Sequence, residues 1–167
     1  VDVIYRRLDD EYLDPVQFRG DSVLGVPGLL NAARAGAVTI ANGVGNGVAD
    51  DKALYPYVPK IIEYYLGEKA ILHNVATHDL TDPDVRAHVL ERLDKMVIKP
   101  VDGSGGYGLV IGPKATEAEL EEVAAAIIAD PRSWIAQPVV TLSTSPTVGT
   151  GGAVQPRHLD LRPFAVN

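Results

Sequence analysis

Over residues 1–8, "VDVIYRRL", apolar and polar positions alternate closely enough to predict a strand, and Asp9-Asp10-Glu11 then turns the chain on acidic residues. "GVPGLLNAARAG" predicts a short helix from about Gly28 to Ala35, with Gly36 placed to end it. "AVTIAN" follows as a short buried strand. The glycine-rich Asn42-Gly43-Val44-Gly45-Asn46-Gly47 closes a β-α-β-like stretch. Asp50 or Asp51 can cap the next helix, which Pro56 and Pro59 must break or restart, because proline lacks an N–H and crowds the preceding turn. Its second part, residues 60–66, ends at Gly67.

Further along, Thr81 or Asp82 caps a helix that begins with Pro83 and runs to about Leu93. Strands are predicted at Met96–Pro100 and 109–111. Thr116-Glu117-Ala118-Glu119 is a capping box, in which the hydroxyl and the carboxylate each accept from the other residue's backbone N–H. It opens a helix to about Ala129, and Pro131 stops it. Residues 134–140 form the next strand. "TLSTSPTVGTGGAVQP" (141–156) is small, polar and glycine-rich, and reads as a mobile loop. Residues 159–166 return to strand character. There is no internal repeat, and strands and helices mix throughout, so the predicted class is α/β of the mixed α+β kind.

Composition narrows the functions. At 167 residues the chain suits one or two small domains, and a fold of this size buries about 68–70% of its unfolded surface. A 46% hydrophobic and 22% charged composition is that of an ordinary globular protein. No apolar run approaches the ~18 residues of a membrane span, and the opening residues lack a signal-peptide pattern. Cysteine is absent, which removes disulfides, thiolate metal sites and a cysteine nucleophile, and fits a cytoplasmic protein. The net charge of −7 argues against nucleic acid or an anionic membrane as partner, while leaving a nucleotide possible, since that needs only a few local cations. Both ends are apolar and extended without a polar tail, which reads as a piece of a longer protein.

The chemistry concentrates in "MVIKPVDGSGGYGLVIG" (96–112), where Gly103, Ser104, Gly105, Gly106, Tyr107 and Gly108 spell a G-x-G-x-x-G. A dinucleotide fingerprint must open a helix, so that the pyrophosphate meets the helix N-terminus, but Leu109-Val110-Ile111 predicts a strand. A Walker loop ends in Gly-Lys-Ser/Thr, which is missing, and a kinase places its glycine loop before its lysine strand, whereas Lys99 precedes this one. What remains is strand, glycine loop, strand. The loop's unobstructed N–H groups suit phosphate oxygens, with Lys99 as a point charge beside them. The bland alternative, a glycine-rich hairpin with a solvated lysine, stays open at this level.

Other candidates carry less. His73, His78, His88 and His158 show no zinc spacing, and Ser143, Thr144 and Ser145 lack a base. Tyr55, Tyr57, Tyr64 and Tyr65 read as packing. Arg6 and Arg7, flanked by Asp9 and Asp10, read as a solvated strand end or as groups reaching a substrate.

The strand ending Lys-Pro before the glycine loop resembles the ATP-grasp pattern. So does "ADDKALYPYV" (49–58), whose Asp-Lys resembles the helix start that supplies a first nucleotide lysine. "WIAQPVV" (134–140) looks like the hinge strand against which adenine leans, and Asp160-Leu161-Arg162 resembles the acidic-apolar-arginine run after it. Taken in order, "VDVIYRRLDD", "VLGVPGLL", "ANGVGNGVADDKA", "IKPVDGSGGYGLVIG" and "PRHLDLRPFAV" are similar to circularly permuted ATP-grasp proteins, grouped with glutathionylspermidine-synthase-like carboxylate–amine ligases.

That resemblance implies an incomplete ATP-grasp-like fold with a glycine-rich β-hairpin flap. Residues 1-50 would end a preceding α/β subdomain. Residues 51-135 would form a lid-like subdomain, and 136-167 the hinge strand and the start of the core. It implies ATP and Mg²⁺ as cofactors and a small carboxylate and amine as substrates. Lys52 and Lys99 would face the phosphates under Gly103, Ser104, Gly105, Gly106, Tyr107 and Gly108. Gln137, Pro138 and Val139 would border the adenine, and Arg162 would be the catalytic group, steadying the transferred phosphoryl. Two departures stand out. The late acidic and asparagine ligands for Mg²⁺ are expected outside this chain, and Gln137 stands where many family members carry Glu. A non-catalytic nucleotide-binding or interaction module, or a scaffold using the loop only as a turn, would keep the same residues with other consequences.

Overall fold

Two short parallel strands, β1 (Val3–Tyr5) and β2 (Thr39–Ala41), lie in register from Val3 opposite Thr39 to Tyr5 opposite Ala41. The computed structural model describes residues 1–103 and 105–161, which leaves out Ser104 and 162–167. Between the strands run α1 (Asp10–Leu13) and α2 (Leu29–Arg34), and Leu13, Leu29 and Leu30 pack with Ile4, Leu8, Val38 and Ile40 into a small core.

Asp14 fastens this unit. Its carboxylate, fully buried, accepts from the backbone N–H groups of Val16 (2.9 Å), Gly28 (3.0 Å) and Leu30 (3.0 Å). Gly28, the residue before α2, has φ +81° and no side chain, so the helix takes its cap from Asp14 instead. Close approach explains Gly25: a Cβ there would lie 2.1 Å from the Tyr12 carbonyl oxygen and 2.4 Å from that of Leu13.

The larger unit is an antiparallel sheet in the order β3-β6-β4-β5, made of β3 (His78–Asp79), β4 (Met96–Pro100), β5 (Val110–Ile111) and β6 (Trp134–Pro138). Alternation along the strands divides its faces. Met96 and Ile98 of β4 and Ala136 of β6 are buried with Leu80, Val89, Leu93, Val123 and Ile127, under α4 (Pro83–Leu90) and α5 (Glu117–Ala129). Lys99 and Gln137 lie on the opposite face. The strand–loop–strand order around the glycines is present, with Val97 opposite Ile111 and Ile98 opposite Val110. Gly112 is sterically required, since a Cβ would come within 1.8 Å of the Leu93 carbonyl oxygen.

Local signals explain most helix starts. Thr116 and Glu119 form the capping box of α5, and Asp82 accepts from Asp84 and Val85 at the start of α4. Asp51 accepts from the Ala53 N–H at 2.7 Å and opens a 3₁₀ turn, Lys52–Tyr57, that contains Pro56. The chain then restarts as α3 (Val58–Leu66), with Pro59 in its first turn and Gly67 (φ +66°) at its end.

Several expectations are corrected. The acidic turn at residues 9–11 enters the one-turn helix α1, which Asp9 precedes without a side-chain cap hydrogen bond. The strand at 37–42 is not buried, because Thr39 faces solvent and only one side of the two-stranded sheet has a core. Helix α4 stops at Leu90, and a separate 3₁₀ turn (Leu93–Lys95) drops Leu93 into the core before β4. The expected strand at 134–140 ends at Pro138, opposite Met96 where β4 begins. The loop expected at 141–156 is an antiparallel hairpin, β7 (Thr144–Val148) with β8 (Val154–His158), in which Pro146 faces Pro156. Its turn closes through the Gly149 N–H on the Ala153 carbonyl at 2.8 Å, with Gly151 and Gly152 at φ +90° and +81°. Of the strand expected at 159–166, residues 159–161 are irregular and the rest lies outside the described residues.

Candidate functional site

On the face of the sheet turned away from α4 and α5 lies a cleft of about 510 Å³, lined by Ala49, Asp50, Asp51, Lys52, Leu54, Tyr55, Val58, Val75, Lys99, Ile135 and Gln137. The strands set its floor. Lys99 stands directly across from Ile135 and Val97 across from Gln137, so period-2 alternation points Lys99, Ile135 and Gln137 the same way. The 3₁₀ turn opened by Asp51 brings Lys52 and Tyr55 to the opposite wall.

Lys99 donates from Nζ to Gln137 Oε1 at 2.7 Å. Gln137 donates in turn from Nε2 to Thr77 Oγ1 at 2.8 Å, and Thr77 donates to the Val75 carbonyl at 2.9 Å. Burial, followed by the positive charge of Lys52, pushes the Lys99 ammonium below the ordinary lysine pKa. Lys52 is tied to the loop after β4. Its backbone N–H donates to the Val101 carbonyl at 3.0 Å, and its ammonium donates to the carbonyls of Val101 (3.3 Å) and Gly103.

The glycine loop lies beyond this cleft. Gly105, Gly106 and Gly108 take φ of +66°, +82° and +70°, and Tyr107 is 84% exposed. A Cβ on Gly103 would lie 2.8 Å from Pro100 Cγ. None of Gly105, Gly106, Tyr107 and Gly108 is among the described lining residues of the cleft. Pro138 is half-buried opposite Met96, and Val139 is exposed with its N–H on the Lys95 carbonyl at 3.4 Å; neither lines the cleft. The structure therefore gathers Lys52, Lys99 and Gln137 and leaves Pro138 and Val139 to one side. Ser104 and Arg162 lie outside the described residues.

Sequence reasoning missed the wall at 74–77. The Val75 N–H donates to the Tyr55 hydroxyl at 3.1 Å, and the Asn74 side chain donates to the Tyr55 carbonyl at 2.8 Å. No periodicity marks this segment, since its order comes from these cross-links. Tyr64 and Tyr65, expected to be packed, are 82% and 76% exposed on α3, in edge contact with each other.

A second groove of about 850 Å³ adjoins the first, sharing Ala49, Asp50 and Asp51, at the carboxyl ends of β1 and β2. Arg6 is committed there: it pairs with Asp10 and donates to the carbonyls of Leu8, Asn42 (3.1 Å) and Gly43 (2.9 Å). It ties the glycine turn to the end of β1, and so reads as structural. Arg7 is exposed on the same groove. Among the described residues no three His, Cys, Asp or Glu side chains stand close enough together to hold a metal ion, and no helix is long and apolar enough to cross a membrane.

Comparison with known proteins adds to this geometry. The family model described as circularly permuted ATP-grasp type 2 matches residues 1–167. An uncharacterized protein of Mycobacterium tuberculosis is 60% identical over 167 residues, which are all of this chain and 30% of that protein. A Synechocystis protein, also uncharacterized, is 49% identical over 167 residues, 34% of its length. A Frankia alni protein named "Putative glutamate--cysteine ligase 2-3" is 49% identical over 164 residues, 98% of this chain and 19% of that protein. The chain thus spans about a third or less of the relatives it matches.

Proposed function

The chain belongs to the circularly permuted ATP-grasp type 2 family, and from that premise we propose that it forms the nucleotide-holding portion of an ATP-dependent carboxylate–amine ligase acting through an acyl phosphate. The observation that carries this reading is the convergence of Lys52, Lys99 and Gln137 on one cleft, with Lys52 bonded to the loop after β4. The name of a relative, "Putative glutamate--cysteine ligase 2-3", supports a ligase reaction class.

In the proposed reaction a carboxylate oxygen of the acid attacks the γ-phosphorus of ATP. The bond from phosphorus to the bridging oxygen breaks, and ADP leaves. An amine lone pair then adds to the acyl carbon, phosphate departs with the bonding pair, and the amine proton passes to solvent, leaving an amide. Phosphoryl transfer asks a protein chiefly for position and for charge against the phosphate oxygens. Lys52 and Lys99 supply that charge, while N–H groups of Gly103, Ser104, Gly105, Gly106, Tyr107 and Gly108 close over the oxygens as a flap. Gln137 borders the base within the cleft, Pro138 and Val139 extend that border past its edge, and Arg162 steadies the transferred group.

The residues described do not make a metal site, so the carboxylates for Mg²⁺ are assigned to the rest of the polypeptide, and no step here is routed through the ion. The acid and amine would enter by the second groove, which shares a wall with the cleft. The division into 1-50, 51-135 and 136-167, and a cytoplasmic setting, belong to the same proposal.

Thermal-shift titration of the full-length protein tests it. A ligand at 100 times its Kd stabilises by about 2.7 kcal/mol, so MgATP raises Tm in wild type and much less in Lys99→Ala. No shift with MgATP, or an equal shift in Lys99→Ala, refutes the nucleotide reading.

A further inference from the structure

A lysine ammonium only donates, so the Gln137 atom 2.7 Å from Lys99 Nζ is the amide oxygen, and the amide nitrogen is turned to Thr77, 2.8 Å away. Thr77 has one hydroxyl proton and directs it to the Val75 carbonyl at 2.9 Å, so it meets Gln137 as an acceptor. Each link in the series joins one donor to one acceptor, and the amide has one allowed orientation while Lys99 is charged. Val75 is itself fixed by its N–H on the Tyr55 hydroxyl at 3.1 Å.

Charge gives the series its purpose. A glutamate at 137 would reach the ammonium with similar geometry and cancel its charge, whereas glutamine holds the ammonium and leaves the charge whole. Lys52, Asp50 and Asp51 also line the cleft, and among the described residues no carboxylate makes an ion pair with Lys99. The side chain of Asp51 is engaged on the Ala53 N–H.

We infer that Thr77 is a positioning residue: through Gln137 it holds the Lys99 ammonium in the cleft without an ion-pair partner, and this neutral support favours a polyanionic ligand. For its ligand, the triphosphate, the inference rests on the ATP reading above; for its geometry it does not.

The test uses full-length protein carrying Thr77→Val, which keeps shape and removes the hydroxyl, Thr77→Ser, which keeps the hydroxyl, or Gln137→Glu. In the ligand-free protein, the pH dependence of Lys99 acetylation by acetic anhydride is read by peptide mass spectrometry. Gln137→Glu moves its midpoint up, Thr77→Val moves it down, and Thr77→Ser restores it. A midpoint unchanged in Thr77→Val overturns the inference, whatever Gln137→Glu does. Separately, Thr77→Val and Gln137→Glu each weaken ATP about fivefold to tenfold, the scale of one ordinary hydrogen bond, with adenosine affected less than about twofold. If wild type binds no ATP but the midpoints move as stated, the nucleotide reading fails and the positioning role stands. If all variants bind ATP equally, the positioning role fails and the nucleotide reading stands.

Discussion

Lys52 is bonded to Val101 twice, through its backbone N–H at 3.0 Å and through its ammonium at 3.3 Å. The ammonium also reaches the Gly103 carbonyl. A side chain that holds the start of the glycine loop must exchange those carbonyls for phosphate oxygens if a nucleotide is to use it. Lys52→Met is therefore expected to speed amide hydrogen exchange across 101–109 by about fivefold, corresponding to the loss of ~1 kcal/mol of partly exposed hydrogen bonding. Exchange unchanged across that segment would show that the lysine does not restrain the loop.

Lys99 has opposed effects in the empty and the loaded protein. Burial, then the neighbouring Lys52, depresses its pKa below the ordinary lysine value of 10.5. For a base with a folded-state pKa below its unfolded one, the charged form costs stability at pH below the folded pKa, and that cost fades as pH rises towards 10.5. Lys99→Met is accordingly expected to raise the Tm of the ligand-free protein at neutral pH, with the gain shrinking at alkaline pH, while lowering ATP affinity at least tenfold. Calorimetry of both proteins between pH 7 and 10 checks the sign.

Asp14 titrates in the other sense. Burial alone would raise its pKa, but N–H groups from Leu30, Gly28, Val16 and Gln17 outweigh that and hold it below 3.8. A depressed carboxylate contributes stability that is present above the unfolded pKa and lost as pH falls through the folded one. Asp14→Asn turns amide protons towards backbone donors. It is expected to lower Tm by several degrees at pH 7, with the gap closing below about pH 4. A constant gap down to pH 2.5 would contradict this account.

Glycines 112 and 106 separate two reasons for glycine. A Cβ on Gly112 would strike the Leu93 carbonyl at 1.8 Å, whereas at Gly106 (φ +82°) nothing lies within 4 Å. Gly112→Ala is expected to destabilise by about 3 kcal/mol or more through displaced backbone, and Gly106→Ala by about 1–2 kcal/mol through left-handed strain alone. Urea unfolding of the two variants gives the comparison, and equal losses would refute it.

Features written in neighbouring residues were legible. The Thr116 box, the Asp82-Pro83 start and β4 each follow from a few adjacent side chains. Lys99 stood out by its strand before the glycine loop, Lys52 and Gln137 by the ATP-grasp resemblance, and the three line one cleft. Features written between distant residues were not. β3 has only two residues and exists because His78 and Asp79 meet Ala136 and Ile135. Thr77 has meaning only beside Gln137, and Asp14 only beside Gly28 and Leu30. In 141–156 small residues and glycines masked an alternation that pairs strand with strand.

The facing prolines of that hairpin have a consequence for how molecules meet one another. Its ladder bonds join Leu159 to Ser143 and Gly149 to Ala153. Pro146 and Pro156 therefore occupy the alternate positions, whose N–H groups would point outward. With no N–H on either proline, both outer edges lack a donor at mid-length. A foreign strand laid along either side finds its hydrogen-bond series interrupted, so a largely exposed hairpin is protected against templating aggregation.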